Sequence, residues 1–506
     1  MMRRIGDDFR LSASDLMRFK VCRHAITLDR RRLEGEALAP AADSAEAKLV
    51  QDQGDAHEAA YLARCRQAGR QVTEIEKDGL TLEESVASTV AAMEAGAEII
   101  FQGAFLSGPW GGYSDFLERV ERPSARWSWS YEVVDTKLKR SADPKHILQL
   151  ALYSDLVAEI QGTAPAAAHL ELGNGERFTV QLDLVSAYAR RARGRLERFL
   201  VERPETRPEP VSFCTLCPWR EHCAAEWDAT DSLVLVANVN RSQRDKLAAA
   251  GVMTIVELAE REAPVPKLAP ETLARLKVQA RLQAARRRGG QAAFELRPHE
   301  AGRGFDLLPV ADDGDLFYDI EGDPYYPGGL EYLHGVWYRD QGNWRFRTFW
   351  AHDRAAEGQA IDDLFGFFAG HLKAHPKAHI YHYANYEIAA LKRLSMAHRI
   401  GEAVLDQLLR ERRFVDLFKV VGGALIASEP GYSIKNLEAF YMAKREGDVA
   451  TAGASVVVYE EWRERRGARR HALQRSRTLV NRCWRSARRT AAGTARPSLS
   501  RRSSAI

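Results

Sequence analysis

Nowhere in the 506 residues does an apolar run approach the roughly 18 uninterrupted residues of a membrane-crossing helix, which excludes a helical membrane protein. The first 16 residues carry Arg3, Arg4, Asp7, Asp8 and Arg10 and lack the apolar core of a secretory leader, so a soluble, cytoplasmic protein with no membrane partner is expected. Cysteine is scarce, with six in all, too few for a disulfide framework. In a reducing compartment such thiols serve as plain side chains or metal ligands. No internal repeat appears, which excludes a solenoid. The Gly-x4-Gly-Lys-Ser/Thr phosphate loop is also missing, so the chain is no helicase by itself. Acidic residues and lysine vanish from Arg465 onward, where 13 arginines stand among serine and alanine. That tail accounts for more than the whole net charge of +4 and leaves residues 1–464 net acidic, so any anionic partner must meet a local basic groove. The tail reads either as the wrong frame of a GC-rich gene or as a genuine basic arm.

What remains is ordinary globular material, 45% hydrophobic and 28% charged, enough for two to four domains. Up to about Trp227, helices alternate with strands. Ser14 is expected to cap a helix reaching Cys22, and a long helix is expected over Ser44 to Arg66. A hairpin follows over Ile99 to Val120, a strand over Trp129 to Lys139 and a helix over Ile147 to Ile160. Residues 238–286 read as helical, with two short segments around Gly251 that resemble a helix-hairpin-helix, a nucleic-acid phosphate contact. A second α/β pattern runs from Leu316 through Met396. The expected fold class is α/β, divided at 1–230, 231–298 for the helical connector, 299–464 for the second α/β domain and 465–506 for the tail.

Three thiols crowd into Cys214-Thr-Leu-Cys217-Pro-Trp-Arg-Glu-His-Cys223, and Cys22 stands near the start of the same α/β segment. Soft thiolates at this spacing suit zinc or an iron-sulfur cluster, and ligands from both ends would make metal binding part of the folding free energy. Cys65 and Cys483 fall outside the pattern. Within the bracket, Tyr131-Glu-Val-Val-Asp135-Thr-Lys137 puts an acid and a lysine two apart on one strand face. Such a carboxylate helps hold Mg²⁺ for phosphodiester hydrolysis, while the lysine orients water or stabilises developing charge. Gly112-Tyr-Ser-Asp115-Phe offers a second carboxylate, and Gln149 and Tyr153 stack on one helical face four residues apart. His57, in Gly-Asp-Ala-His-Glu, can add a nitrogen ligand.

This order, with the cysteine bracket around it, resembles RecB-like nucleases of the PD-(D/E)XK type that carry a 4Fe-4S cluster. Over about Leu11 to Trp227 the resemblance implies metal binding by His57, Asp115 and Asp135, catalysis by Lys137, substrate positioning by Gln149 and Tyr153, and a cluster on Cys22, Cys214, Cys217 and Cys223. Further on, Leu316-Phe-Tyr-Asp319-Ile-Glu321-Gly places two carboxylates on one strand face, a start for a two-metal site. It resembles the first motif of DEDD exonucleases on the RNase H-like fold. His379-Ile-Tyr-His-Tyr-Ala-Asn-Tyr-Glu387 occupies the place of the second motif, with Glu387 where Asp is usual, and Phe414-Val-Asp416-Leu the next. The closing aspartate expected after about Tyr459 is missing, so the second domain is expected to be incomplete. Longer relatives of this arrangement continue into a superfamily 1 helicase. The resemblance thus implies a Mg²⁺- or Mn²⁺-dependent deoxyribonuclease and exonuclease on single strands or DNA ends, in repair, recombination or defence, working with a separate helicase. Its rival is a catalytically compromised nucleic-acid-binding fragment of such an enzyme.

Overall fold

The computed structural model describes residues 2–6, 8–441 and 452–468; Cys483 and the tail beyond residue 468 lie outside the described residues. Two compact units are present, Met1–Glu226 and Trp227–Ile506.

The first unit is built on a six-stranded sheet. Its strands run, edge to edge, Arg177–Gln181, Ala167–Leu172, Ser130–Lys137, Phe116–Val120, Ile99–Phe101 and Val72–Glu74. Ser130–Lys137 is central and buried along nearly its whole length, which suits its run of aromatic and β-branched residues under layers on both faces. It pairs parallel with Ala167–Leu172, a geometry that needs a crossover, and the helix Pro144–Gln161 supplies it. Asp143 caps that helix by accepting from the Lys145 amide at 3.1 Å, and Pro144 fits the first turn because its missing N–H would have had no partner. Gly162, at φ +70°, ends it in the left-handed region. Helix Ala13–Val21 packs with it on one side of the sheet. On the other side, Tyr61 and Leu62 of helix Ala45–Gln67 meet Ile99, Phe116 and Val134.

One local expectation is corrected. Ser12, not Ser14, begins the first helix, because Asp15 three residues on accepts from both the Ser12 amide (2.9 Å) and its hydroxyl (2.7 Å). The stretch Ile99 to Val120 forms the expected hairpin, in which Ile99–Phe101 pairs with Phe116–Val120 and Ala104–Ser107 with Trp110–Tyr113 in one antiparallel register around Gly108-Pro109.

A buried polar network stiffens the Tyr61 side of this unit. Glu118 accepts from the Tyr61 hydroxyl (2.6 Å), from Arg70 (3.1 Å) and from Arg177 (3.0 Å). Burial pushes its carboxyl up, but the bonds from Arg177 and Tyr61 outweigh that and hold it at about 2, against an ordinary 4.5. A folded value below the unfolded one gives stability that is full above about 4.5 and is lost as pH falls toward 2. Glu118→Gln is therefore expected to cost about 3 kcal/mol at neutral pH, because it removes the buried carboxylate that Arg70, Arg177 and Tyr61 all hold ionised, and to flatten the acid limb of the stability curve. Urea melts from pH 2 to pH 7 check this; parallel curves for the two proteins would refute it.

The second unit begins with helices Arg241–Ala249 and Ile255–Glu260 around Gly251 (φ +78°), followed by the long helix Pro270–Arg287. Leu247, Ile255, Leu258, Leu276 and Ala280 form their common core. Beyond them lies a five-stranded sheet in the order Asn343–Trp350, Leu330–Asp340, Leu316–Asp323, Ile380–His382, Phe414–Asp416. The first three strands are antiparallel and the last two join parallel to Leu316–Asp323 and to each other. Helices Arg354–Ala374 and Tyr386–His398 cover its core of Leu316, Ile320, Leu364, Phe368 and Leu391. Among the described residues no helix is long and apolar enough to cross a membrane.

Candidate active sites

In the first unit the sheet brings Asp115 and Asp135 together. Asp115 stands on the returning arm of the hairpin, and its carboxylate accepts from the Thr136 amide (2.9 Å) and hydroxyl (3.1 Å), which fixes it against the Asp135 strand. Asp135 is buried, at 1% exposure, with Gln149 donating to one oxygen at 3.2 Å and the Lys137 ammonium 2.5 Å from the other. Burial first and then the neighbouring Asp115 push the Asp135 carboxyl well above the usual carboxylate range, against the pull of Lys137. Lys137 is raised in turn, since its carboxylate neighbours outweigh its own burial. Tyr153 reaches the same place. Its hydroxyl lies where a Cβ on Gly112 would come within 3.1 Å, and Gly112 has φ +154°, so glycine is required there on both counts.

A buried carboxylate beside a second carboxylate is what a divalent cation relieves. The donor set suits a hard ion, since Mg²⁺ is commonly held by one or two carboxylates and keeps several waters. Among the described residues no three His, Cys, Asp or Glu side chains stand in a ligating group. His57 Nε2 lies 3.3 Å from the carbonyl oxygen of Glu171, on the strand paired with that of Asp135. Its neighbour Glu58, which sequence reasoning passed over, faces Asp115. Burial and then the Asp115 charge push it to about 7, while Gln102 donates to it and Lys77 donates to Gln102. The signal was present in Gly-Asp-Ala-His-Glu. Which of two adjacent helical residues faces the sheet end depends on how the helix rolls, and motif order does not contain that.

Three of the four predicted cluster cysteines pack together. Cys22 joins two helices, Ala13–Val21 and Arg23–Leu33, and packs with Cys217, Cys223 and Trp219 in one small cluster, though among the described residues the cysteines do not stand in a ligating group. Burial and then the neighbouring thiols of Cys217, Cys22 and Cys214 push Cys223 up to about 12. Thiolates are the ligands that a soft cation takes. Cys65 is remote from them, in the Tyr61 and Phe116 core.

The second unit gathers its acids less completely. Asp319 and Glu321 lie on the central strand Leu316–Asp323, ahead of a register shift between Glu321 and Gly322. Glu387 is buried, with one oxygen lacking a hydrogen-bond partner and His382 3.6 Å away. Asp416 serves the backbone: one oxygen accepts from the amides of Ala384 and Phe418, both at 3.0 Å, capping helix Leu417–Ala424. The helix Ala452–Ala468 closes over this region. Tyr459 stacks on Tyr332 at 3.8 Å, and Ser455 donates to Glu321 at 3.3 Å. Its Glu460 faces Asp323, which burial and that carboxyl push to about 7. Sequence reasoning missed both, and missed Glu331, held by Tyr386 and Arg393.

A carboxylate pair with a lysine at a sheet end, and a second acidic set on a five-stranded mixed sheet, define a metal-dependent nuclease with two nuclease-type domains. The comparisons agree. Residues 12–224 match the family model of the PD-(D/E)XK nuclease superfamily, and residues 316–476 match that of the RNase H superfamily, so a domain of each is present. Among curated proteins no match is found.

Proposed function

We propose that this chain is a Mg²⁺- or Mn²⁺-dependent deoxyribonuclease, RecB-like in its first domain, that acts as an exonuclease on single strands or DNA ends in repair, recombination or defence. The observation that carries the reading is the pair of Asp115 and the buried Asp135, with Lys137 and Gln149 at its edge. A bound divalent ion would polarise the phosphate and lower the pKa of attacking water. Asp115 and Asp135 would hold that ion, with His57 able to turn toward it. Lys137 steadies the developing negative charge, Gln149 keeps Asp135 oriented, and Tyr153 closes the wall beside Gly112. In this reading residues 1–230 are the nuclease domain, tied by a 4Fe-4S cluster on Cys22, Cys214, Cys217 and Cys223. Residues 231–298 are the connector and 299–464 the RNase H-like domain. The protein works in the cytoplasm, and a separate helicase supplies the single strand, because the sequence has no nucleotide loop of its own.

A second reading, a nucleic-acid-binding module with reduced activity, is favoured for the RNase H-like domain alone, since Asp416 is committed to a helix cap and Ser455 to Glu321. Digestion of end-labelled single- and double-stranded DNA and RNA, with Mg²⁺ or Mn²⁺, tests both readings. Metal-dependent release of labelled mononucleotides from DNA is expected. Binding without cleavage on any substrate would leave only the second reading.

A further inference from the structure

Within the second unit, a recess opens where helix Pro270–Arg287 meets the small sheet of Phe294–Leu296 and Leu425–Ala427. Its volume is about 280 Å³ including the part open to solvent. Its floor is satisfied: the Tyr432 hydroxyl donates to Gln279 at 2.9 Å and accepts from the Ala427 amide at 3.0 Å. Its charges are not. Arg275 and Arg297 both line the recess, and no carboxylate does. Arg275 makes no hydrogen bond or ion pair among the described residues, and Arg297 gives one N–H to the Gly422 carbonyl at 2.7 Å. Elsewhere in the chain partly buried arginines meet acids, as Arg177 meets Glu118, Arg354 meets Glu357 and Arg286 meets Glu429. Two half-buried guanidiniums facing one acid-free recess repel each other unless an anion lies between them.

We propose that this recess grips a backbone phosphate of a nucleic-acid strand, at a point lined by neither acidic set. The proposal rests on the nuclease reading for the identity of the polymer. The physical case for a phosphodiester is that the forked donors of arginine match its two free oxygens and that the open side lets the chain pass on. Asn238 stands exposed at the rim in the left-handed region (φ +61°), able to add an amide donor.

The test is equilibrium binding of a fluorescent single-stranded DNA oligonucleotide to the full chain in EDTA, where nothing is cleaved, across a salt series. The double variant Arg275→Gln, Arg297→Gln is expected to bind about five-fold more weakly. The slope of log K against log salt should fall by about 0.7, the share of one phosphate on a single strand. Asn238→Asp, nearly isosteric and tolerant of the same backbone, should weaken binding too by giving the arginines an internal partner, which guards against misfolding of the double variant. Unchanged affinity and slope in both would overturn the proposal. So would a recess that takes only free anion, seen as inorganic phosphate raising the melting temperature of the parent but not the double variant while oligonucleotide affinity stays equal. Because the assay needs no catalysis, arginine-dependent binding by a protein that never cleaves leaves this site standing and removes the nuclease reading instead.

Discussion

Asp135→Ala is expected to lower metal-dependent DNA cleavage by about a thousand-fold or more, equivalent to about 4 kcal/mol of transition-state stabilisation, while the melting temperature of the metal-free protein holds or rises. The second half of that expectation separates a functional carboxylate from a structural one. Burial and Asp115 hold the Asp135 carboxyl well above the usual range, so its ionised form opposes folding at neutral pH and its removal relieves the strain. Lys137→Ala should lose activity as well, by about a hundred-fold, but with the opposite effect on stability, since it leaves the two acids uncompensated. Asp319→Ala should change cleavage little, because among the described residues the second acidic set is incomplete and Asp416 is turned to a helix cap. Quantitative digestion and thermal melts of the three variants check the ranking. Loss of activity in Asp319→Ala with full activity in Asp135→Ala would reverse it.

Cys217→Ser is expected to produce the largest structural failure. Protein purified without oxygen should be brown and contain iron, and the variant should be colourless, poorly soluble and prone to proteolysis across the whole first unit. Cys217 sits under Trp219 between the helix ends marked by Cys22 and Cys223, and Trp219 donates in turn to Asp29 at 2.9 Å, with Arg18 on the other oxygen at 2.8 Å. A metal held there closes the chain over nearly the full unit, so its binding energy is folding energy for everything between. Metal analysis decides the chemistry. Zinc without iron would defeat the cluster and keep the closure, whereas a soluble, stable Cys217→Ser protein would defeat both.

Much of the architecture was legible because periodicity is local. Ser44 to Arg66 reads as a helix and forms one, at Ala45–Gln67, since Ser44 caps it and no proline interrupts it. Asp135 and Lys137 share a face for the same reason, a period of two along a strand. The hairpin of Ile99 to Val120 was legible in the same way, from strand-forming residues on either side of Gly108-Pro109.

By itself the sequence determined two α/β units, a paired acid and lysine on a central strand, and a set of cysteines at both ends of the first unit. Those follow from residue type and spacing, which act over a few positions. Only the tertiary structure decided that Glu58 faces Asp115, that Asp416 caps a helix, that Glu460 meets Asp323, and that Arg275 and Arg297 share one acid-free recess. Each of these is a meeting of side chains from elements distant in sequence. Such meetings are set by the roll of a helix or the register of a sheet, quantities that a change of one residue would reverse.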